Sequence, residues 1–298
     1  MKRFLTKGAL TGVLVSTALM ATACPETLPP YGGPPTGNRT FQATSVTVNS
    51  DNDGFALNCF DGCDEPRVLN IGFRVKIGVA NSADAQVVYG DNHWPGLIQQ
   101  GLESGESLNF TGGERGAITF NNVALPDILD LAQGAAVELA GVWAWKVEDD
   151  GVLSASPTAL ANAIASALEE VLNETVAASA LPSDPNAIVG LIIGAIGNIN
   201  FFDGLWATIS TLLPGLVTDD ILGSAMYIGV GSGGTLASII DGATSGAAFP
   251  AVAIPLLSWP PDIGGGSIFS LGVGTKSFSN GYTNAGVGGQ HTTSYTFG

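Results

Sequence analysis

The sequence predicts an α+β protein with a β-sandwich-like, β-rich core and an α-helical insertion at about residues 156–217. Short segments that alternate apolar and polar residues, separated by Gly, Asn and Asp clusters, occupy residues 40–147 and return after residue 223. Between them, apolar residues recur at helical spacing. Because the late strands need partners and the early sheet needs closing, we expect a single domain over residues 40–298, with two separate domains as the alternative.

The first 23 residues have the parts of a secretory signal peptide. Three basic residues lie within the first seven, residues 8–20 are apolar but too short for a stable membrane span, and residues 21–23 are small. Cys24 follows directly, which predicts a lipoprotein signal whose cysteine receives lipid after cleavage. Ordinary cleavage, which would leave a freely secreted chain, is the alternative because Pro25 is awkward for lipoprotein processing.

Residues 24–39 are rich in Pro and Gly and predict an extended tether. Beyond it, Cys59 and Cys63 are close enough to form a disulfide in an oxidising compartment. Cys24 is then left over, as expected for a lipidated cysteine that needs no partner.

Predicted strands fill the first half of the domain. The clearest is 68–79, where alternation predicts a strand with one face in water. In 136–147, Trp143 and Trp145 lie on one side, whereas Glu138 and Lys146 lie on the other. The predicted strands of this half are 40–48, 68–79, 85–89, 107–110, 117–123 and 136–147.

The helical insertion starts at Ser156, which predicts a helix cap with Pro157 in the first turn. Pro182 ends this amphipathic helix. Two further helical pieces are predicted at 187–199, which is apolar on nearly every side, and from Asp203 onward. Strands return at 224–230, 267–273 and 292–297, and we expect an irregular, proline-fixed path between the first two.

The charge of the chain argues against nucleic acid as a partner. The sequence has 10 basic and 26 acidic residues, a formal net charge of −16. Binding a phosphate backbone depends on clustered Lys and Arg, which this sequence lacks.

An acidic loop is the candidate metal site. It opens with oxygen ligands at every second position from Asn49, followed by Gly54, which resembles the start of a calcium loop. Phe60 occupies the twelfth position, where an EF-hand needs a carboxylate, so an EF-hand is excluded. A bridge between the two nearby cysteines would fold the carboxylates into a different hard-cation site. The candidate calcium ligands are Asp51, Asp53, Asp61, Asp64 and Glu65, with a solvated acidic turn as the alternative, and no other cofactor is expected.

Catalysis lacks a recognisable motif. The chain has two histidines, His93 and His291, neither in a metal-binding spacing, and no Gly-x-Ser-x-Gly elbow. Carboxylates brought together by folding would still allow glycosidase-like hydrolysis, so a secreted hydrolase stays an alternative.

Membrane contact through the apolar helices at 187–216 is a further alternative. Gly190-x-x-x-Gly194 permits close helix packing, and the aromatic residues that follow are typical of segments that insert into bilayers. A helix buried against the sheet explains the same residues. The candidate contact residues are Ile192, Ile196, Phe201, Phe202 and Trp206.

Short motifs carry a resemblance to uncharacterised exported proteins and lipoproteins of actinobacteria. They are Leu57-Asn58-Cys59, Asp64-Glu65-Pro66, Phe73-Arg74-Val75 and Gly289-Gln290-His291, together with the Trp-rich strand and the helical insertion. The resemblance implies a cell-envelope setting and a shared fold, but it implies no catalytic residue.

The sequence therefore predicts an exported cell-envelope protein that is lipid-anchored to the membrane and acts by binding or as a structural part, not as an enzyme. An envelope protein or a glycan is the expected partner. The sequence leaves the oligomeric state open.

Overall fold

The computed structural model describes residues 31–50, 64–93, 101–148, 157–196, 220–244, 263–284 and 289–298. Within these residues, ten strands form two five-stranded sheets, and the chain is an α+β protein rich in strand. The described residues from Gly33 onward belong to one compact unit.

The first sheet is antiparallel throughout and has the order β4-β1-β10-β9, with β5 also pairing with β1. Its central pair joins the two ends of the unit, since Phe41 pairs with Phe297 and Val48 with His291. Its strands are β1 (Thr36–Ser50), β4 (Ser107–Asn109), β5 (Ile118–Ala124), β9 (Lys276–Asn284) and β10 (Gly289–Phe297).

The second sheet has the order β3-β2-β6-β7-β8. Its pairs are antiparallel except β7 and β8, which are parallel and therefore need a crossover connection. Its strands are β2 (Pro66–Lys76), β3 (Asp84–Tyr89), β6 (Glu138–Glu148), β7 (Asp220–Val230) and β8 (Ile263–Ser270).

Helices lie mainly in two connections of the second sheet. Between the neighbouring strands β6 and β7 lie α2 (Pro157–Leu172), a π-helical turn (Asn173–Ala177) and α3 (Pro185–Ile196). Helix α4 (Gly234–Thr244) lies in the crossover from β7 to β8, and the short α1 (Ile128–Ala132) precedes β6. The Asp127 carboxylate caps both α1 and α4, since it accepts the N–H groups of Ile128 and Leu236.

Two hydrophobic clusters share the second sheet. One joins its strands to the helices and includes Trp143, Trp145, Leu168, Ile192 and Ile240. The other contains residues of both sheets, with stacked or tilted rings at its centre. Its aromatic members are Phe41, Phe110, Phe120, Tyr227, Phe269, Tyr282, Tyr295 and Phe297.

The prediction that the strand at 68–79 has a wet face is confirmed only toward its end, where Arg74 is half-buried and Lys76 is exposed, and it is wrong for the first half. Asn70 is fully buried, and a Cβ on Gly72 would lie 2.8 Å from the Ile118 side chain of the first sheet. Strand β6 departs in the same way, because Glu138 and Lys146 are both buried. Alternation with a period of two shows which residues share a face of a strand. It does not show whether the polar face contacts water or packs against another sheet.

The elements that the sequence did not predict include the short helix α1, helix α4 and strand β9. The stretch expected to be irregular after residue 230 contains α4, whose buried residues Leu236, Ala237, Ile240 and Thr244 follow helical spacing. Strand β9 was also not predicted, because its Ser, Asn and Gly residues have low β-propensity. It forms nonetheless, since it pairs with β10 along its whole length.

Candidate functional site

A buried polar pair lies where β10 begins. The imidazole Nε2 of His291 donates to the Asp64 carboxylate across 2.5 Å, and the two side chains are 0% and 1% exposed. The pairing spans 227 residues of sequence. Residue 64 is held to Leu102 by a β-bridge, so the pair connects this short bridge to the first sheet.

Gly289 shows how tightly this pair is enclosed. A Cβ there would lie 3.3 Å from Asp64 Oδ2, 3.4 Å from the Leu222 side chain and 3.6 Å from His291 Nε2. Its φ of +134° is also one that side chains rarely adopt. Glycine is therefore the residue that lets β10 start beside the pair.

Electrostatics favour the neutral form of the His291 imidazole. Burial lowers the pKa of His291, and the buried ammonium of Lys146 lowers it further, whereas the hydrogen bond to Asp64 acts in the opposite direction. Lys146 itself donates to the Arg67 carbonyl at 2.9 Å. A catalytic base must reach a substrate, and this enclosed imidazole does not reach solvent.

A second ion pair, in which Glu138 is buried and Arg74 is partly exposed, joins three strands. The Arg74 guanidinium of β2 binds Glu138 of β6, with 2.7 Å between Nε and Oε1. The other Glu138 oxygen accepts the Ala124 N–H at the end of β5, at 3.1 Å. Both oxygens of the Glu138 carboxylate therefore accept hydrogen bonds from within the fold.

His93 is paired nearer the surface. Its Nδ1 lies 2.7 Å from the Glu114 carboxylate, and the imidazole is about one-third exposed. Burial alone would raise the pKa of Glu114, but hydrogen bonds from the Thr111 N–H, His93 and the Thr111 hydroxyl hold it below its ordinary value. Both histidines of the chain therefore contact a carboxylate.

A cavity of about 260 Å³ lies beside β7, β8 and β9. Glycine backbone shapes it, since a Cβ on Gly223 would lie 3.2 Å from the Tyr282 ring, while one on Gly281 would meet open space. None of the described residues that line it is charged. They are Leu222, Gly223, Ser224, Gly264, Gly281, Tyr282 and Thr283.

The outward-facing residues of the first sheet form an uncharged polar array, which we call the hydroxyl face. Successive strands place these residues side by side, because Ser107 pairs with Thr47 and Thr47 with Thr292. One row further along, Asn109 pairs with Ser45, Ser45 with Ser294 and Ser294 with Ser279. The hydroxyl face consists of Thr40, Gln42, Ser45, Thr47, Asn49, Ser107, Asn109, Thr119, Asn121, Ser277, Ser279, Gly281, Thr283, Gln290, Thr292, Ser294 and Thr296, all exposed or half-buried.

Some of these polar groups bind one another. Thr47 and Ser107 hydroxyls are 2.7 Å apart, and those of Thr40 and Thr119 are 3.0 Å apart. The Asn49 amide donates to the Thr292 hydroxyl at 2.8 Å. Such cross-strand bonds fix rotamers and give the face a defined pattern of donors and acceptors.

The structure describes only part of the predicted sites. Of the calcium candidates, Asp64 and Glu65 are buried, and Asp64 binds His291; the described residues contain no group of three or more potential metal ligands. Ile192 lies in the core against the second sheet, not on a membrane-contact surface, because its helix packs its apolar side inward. Outside the described residues lie Cys24, Cys59, Cys63, Asp51, Asp53, Asp61, Phe201, Phe202, Trp206 and the side chain of Ile196.

No described helix combines the length and apolarity needed to cross a membrane. Comparison of the chain with protein-family models, curated proteins and solved structures finds no match. The site is therefore interpreted from its geometry alone.

Proposed function

We propose that this chain is an exported cell-envelope protein, lipid-anchored through Cys24, whose folded unit has a non-catalytic binding or structural role. The observation that carries the non-catalytic role is the state of the two histidines. One is fully enclosed with Asp64, and the other is bound to Glu114, so each serves the fold. The acid–base chemistry that an enzyme needs at an open site is not available to the enclosed His291.

We further infer that the two sheets form a sandwich-like pair. One cluster of buried side chains draws on β1, β10 and β9 from the first sheet and on β6, β7 and β8 from the second. Two sheets that share one core leave the hydroxyl face of the first sheet outward, as a surface for a partner. The helices beside the second sheet occupy its other face.

The anchor rests on the sequence. A basic start, a short apolar stretch and small residues before Cys24 are the parts that lipoprotein processing uses. The Pro/Gly-rich residues 24–39 then give a tether between anchor and domain, and Cys59 with Cys63 gives a disulfide suited to an oxidising compartment. The resemblance to exported actinobacterial proteins agrees with this setting.

Intact-mass measurement on the membrane and secreted fractions of the native host tests the proposal. We expect a lipid-sized mass increment in the membrane fraction that is lost in Cys24→Ser. An unmodified mature chain found in the medium would overturn the anchor. Ser104→Ala, which keeps the leader and Cys24, is the control and should retain the increment.

A further inference from the structure

We infer that the hydroxyl face binds a neutral polysaccharide. This inference rests on the proposed non-catalytic function and names the partner chemistry for it. Three features of the face carry the argument: its charge, its lack of apolar side chains and its ordered rows of hydroxyl and amide groups.

The charge of the face differs from that of the chain as a whole. The sequence carries 26 acidic residues and a net charge of −16, yet none of the outward-facing residues of the five strands in the first sheet is charged. The guanidinium of Arg115 contacts this face, but it already donates to the Gln42 side chain and to the Phe110 carbonyl. A polyanion would be repelled by the rest of the chain, and a polycation would find its attraction elsewhere on the surface. A neutral partner is the one that this face fits.

The face also excludes docking by the hydrophobic effect. The large hydrophobic side chains exposed in the described part of the chain are Tyr31, Val79, Leu129 and Val273, and none belongs to the hydroxyl face. A stable interface between copies of a chain normally buries an apolar centre, which is missing here. The binding energy therefore has to come from hydrogen bonds, either direct or through water.

The rows of the sheet provide these hydrogen bonds in a repeating pattern. Strand neighbours lie about 4.8 Å apart, and outward residues recur about every 6.8 Å along a strand, so the hydroxyls form a grid. Thr47, Thr292, Ser294 and Ser279 lie in two adjacent rows of this grid. Each hydroxyl both donates and accepts, as do the hydroxyls of a sugar, so a polymer with a regular array of them can bind at several points.

Affinity electrophoresis tests this inference with the mature, full-length chain in native gels that contain dextran, galactan, mannan or, as the anionic comparison, pectate. We expect retardation in at least one neutral gel and none in pectate. Ser279→Glu places a charge in the grid and should weaken retention about tenfold, the effect of losing about 1.4 kcal/mol. Ser238→Glu adds the same charge on the exposed side of α4, and the neutral gel should retard this variant as much as the wild type.

Two results would overturn the inference. One is equal migration of the wild type in all neutral gels and in a gel without polymer. The other is a dimer in sedimentation analysis that Ser279→Glu dissociates, since a second copy would then cover the face. Release of reducing ends during binding would instead refute the non-catalytic function while leaving the polysaccharide contact standing. Thermal melts of both variants establish that each is folded.

Discussion

Lowering the pH below 6.5 is expected to destabilise the fold through one side chain, His291. Because burial lowers the pKa of this imidazole below its ordinary value of 6.5, the folded chain keeps it neutral while the unfolded chain takes up a proton. The stability that this group contributes is therefore fully present above pH 6.5. It is lost progressively as the pH falls from 6.5 toward the lowered pKa of the folded state.

The magnitude follows from one proton. Uptake by the unfolded state alone changes the free energy of unfolding by at most about 1.4 kcal/mol per pH unit. Between pH 7.5 and 5.5, the loss therefore reaches at most about 1.4 kcal/mol, which is the value for an imidazole that binds no proton in the folded state. Since the bond to Asp64 raises the pKa of His291, Asp64→Asn lowers that pKa further and extends the loss to lower pH.

Urea unfolding at pH 7.5, 6.5 and 5.5 measures this loss in the wild type and two variants. His291→Gln keeps an N–H donor for Asp64 but does not titrate, so the difference between pH 7.5 and 5.5 should shrink by the stated amount. His93→Gln is the matched control, because it removes the histidine that is about one-third exposed and should keep the wild-type difference. A wild type equally stable at all three pH values, or an unchanged difference in His291→Gln, would refute the reasoning.

Three further outcomes are expected. In urea melts, Gly289→Ala should lower the free energy of unfolding by more than about 1 kcal/mol, since its Cβ would crowd Asp64 at a φ of +134°. Gly281→Ala is the control, because its Cβ would meet open space, and it should change the free energy of unfolding by less than about 0.5 kcal/mol. Burial raises the pKa of Tyr227, Tyr282 and Tyr295, so the stability that they contribute is present below pH 10 and is lost above it. In an alkaline titration, their tyrosinate absorbance should appear only as the chain unfolds. If the acidic loop at 49–65 binds calcium, a chelator should lower the melting temperature, and an unchanged melt would leave it a solvated turn.

The alternating pattern predicted where strands lie better than what covers them. Residues 68–79 were expected to form a strand, and β2 runs over Pro66–Lys76. Their polar positions were expected in water, but Asn70 is buried and donates to the Gly116 carbonyl at 2.7 Å. An amide that finds one specific acceptor satisfies its polarity without solvent, and such a partner 46 residues away leaves no local mark in the sequence.

The candidate sites show the same difference between local and distant signals. The acidic loop was found because its residues are neighbours in sequence, but the partner of Asp64 is His291, at the opposite end of the domain. The hydroxyl face was missed for a related reason: its rows run across five strands, so each strand contributes only a few Ser or Thr residues. Low β-propensity hid β9 altogether, although pairing with β10 holds it in place.

The pairing of β1 with β10 makes the synthesis of β10 a condition for completing the first sheet. Strand β10 lies between β1 and β9, so the first sheet has no continuous centre until the last residues, Gly289–Phe297, are added. Contacts between such distant segments form slowly. A chain that emerges N-terminus first, from a ribosome or through a membrane, therefore keeps an unfinished first sheet until β10 has emerged. A premature stop or a proteolytic cut near the C-terminus would leave β9 without its described partner and expose the core to degradation.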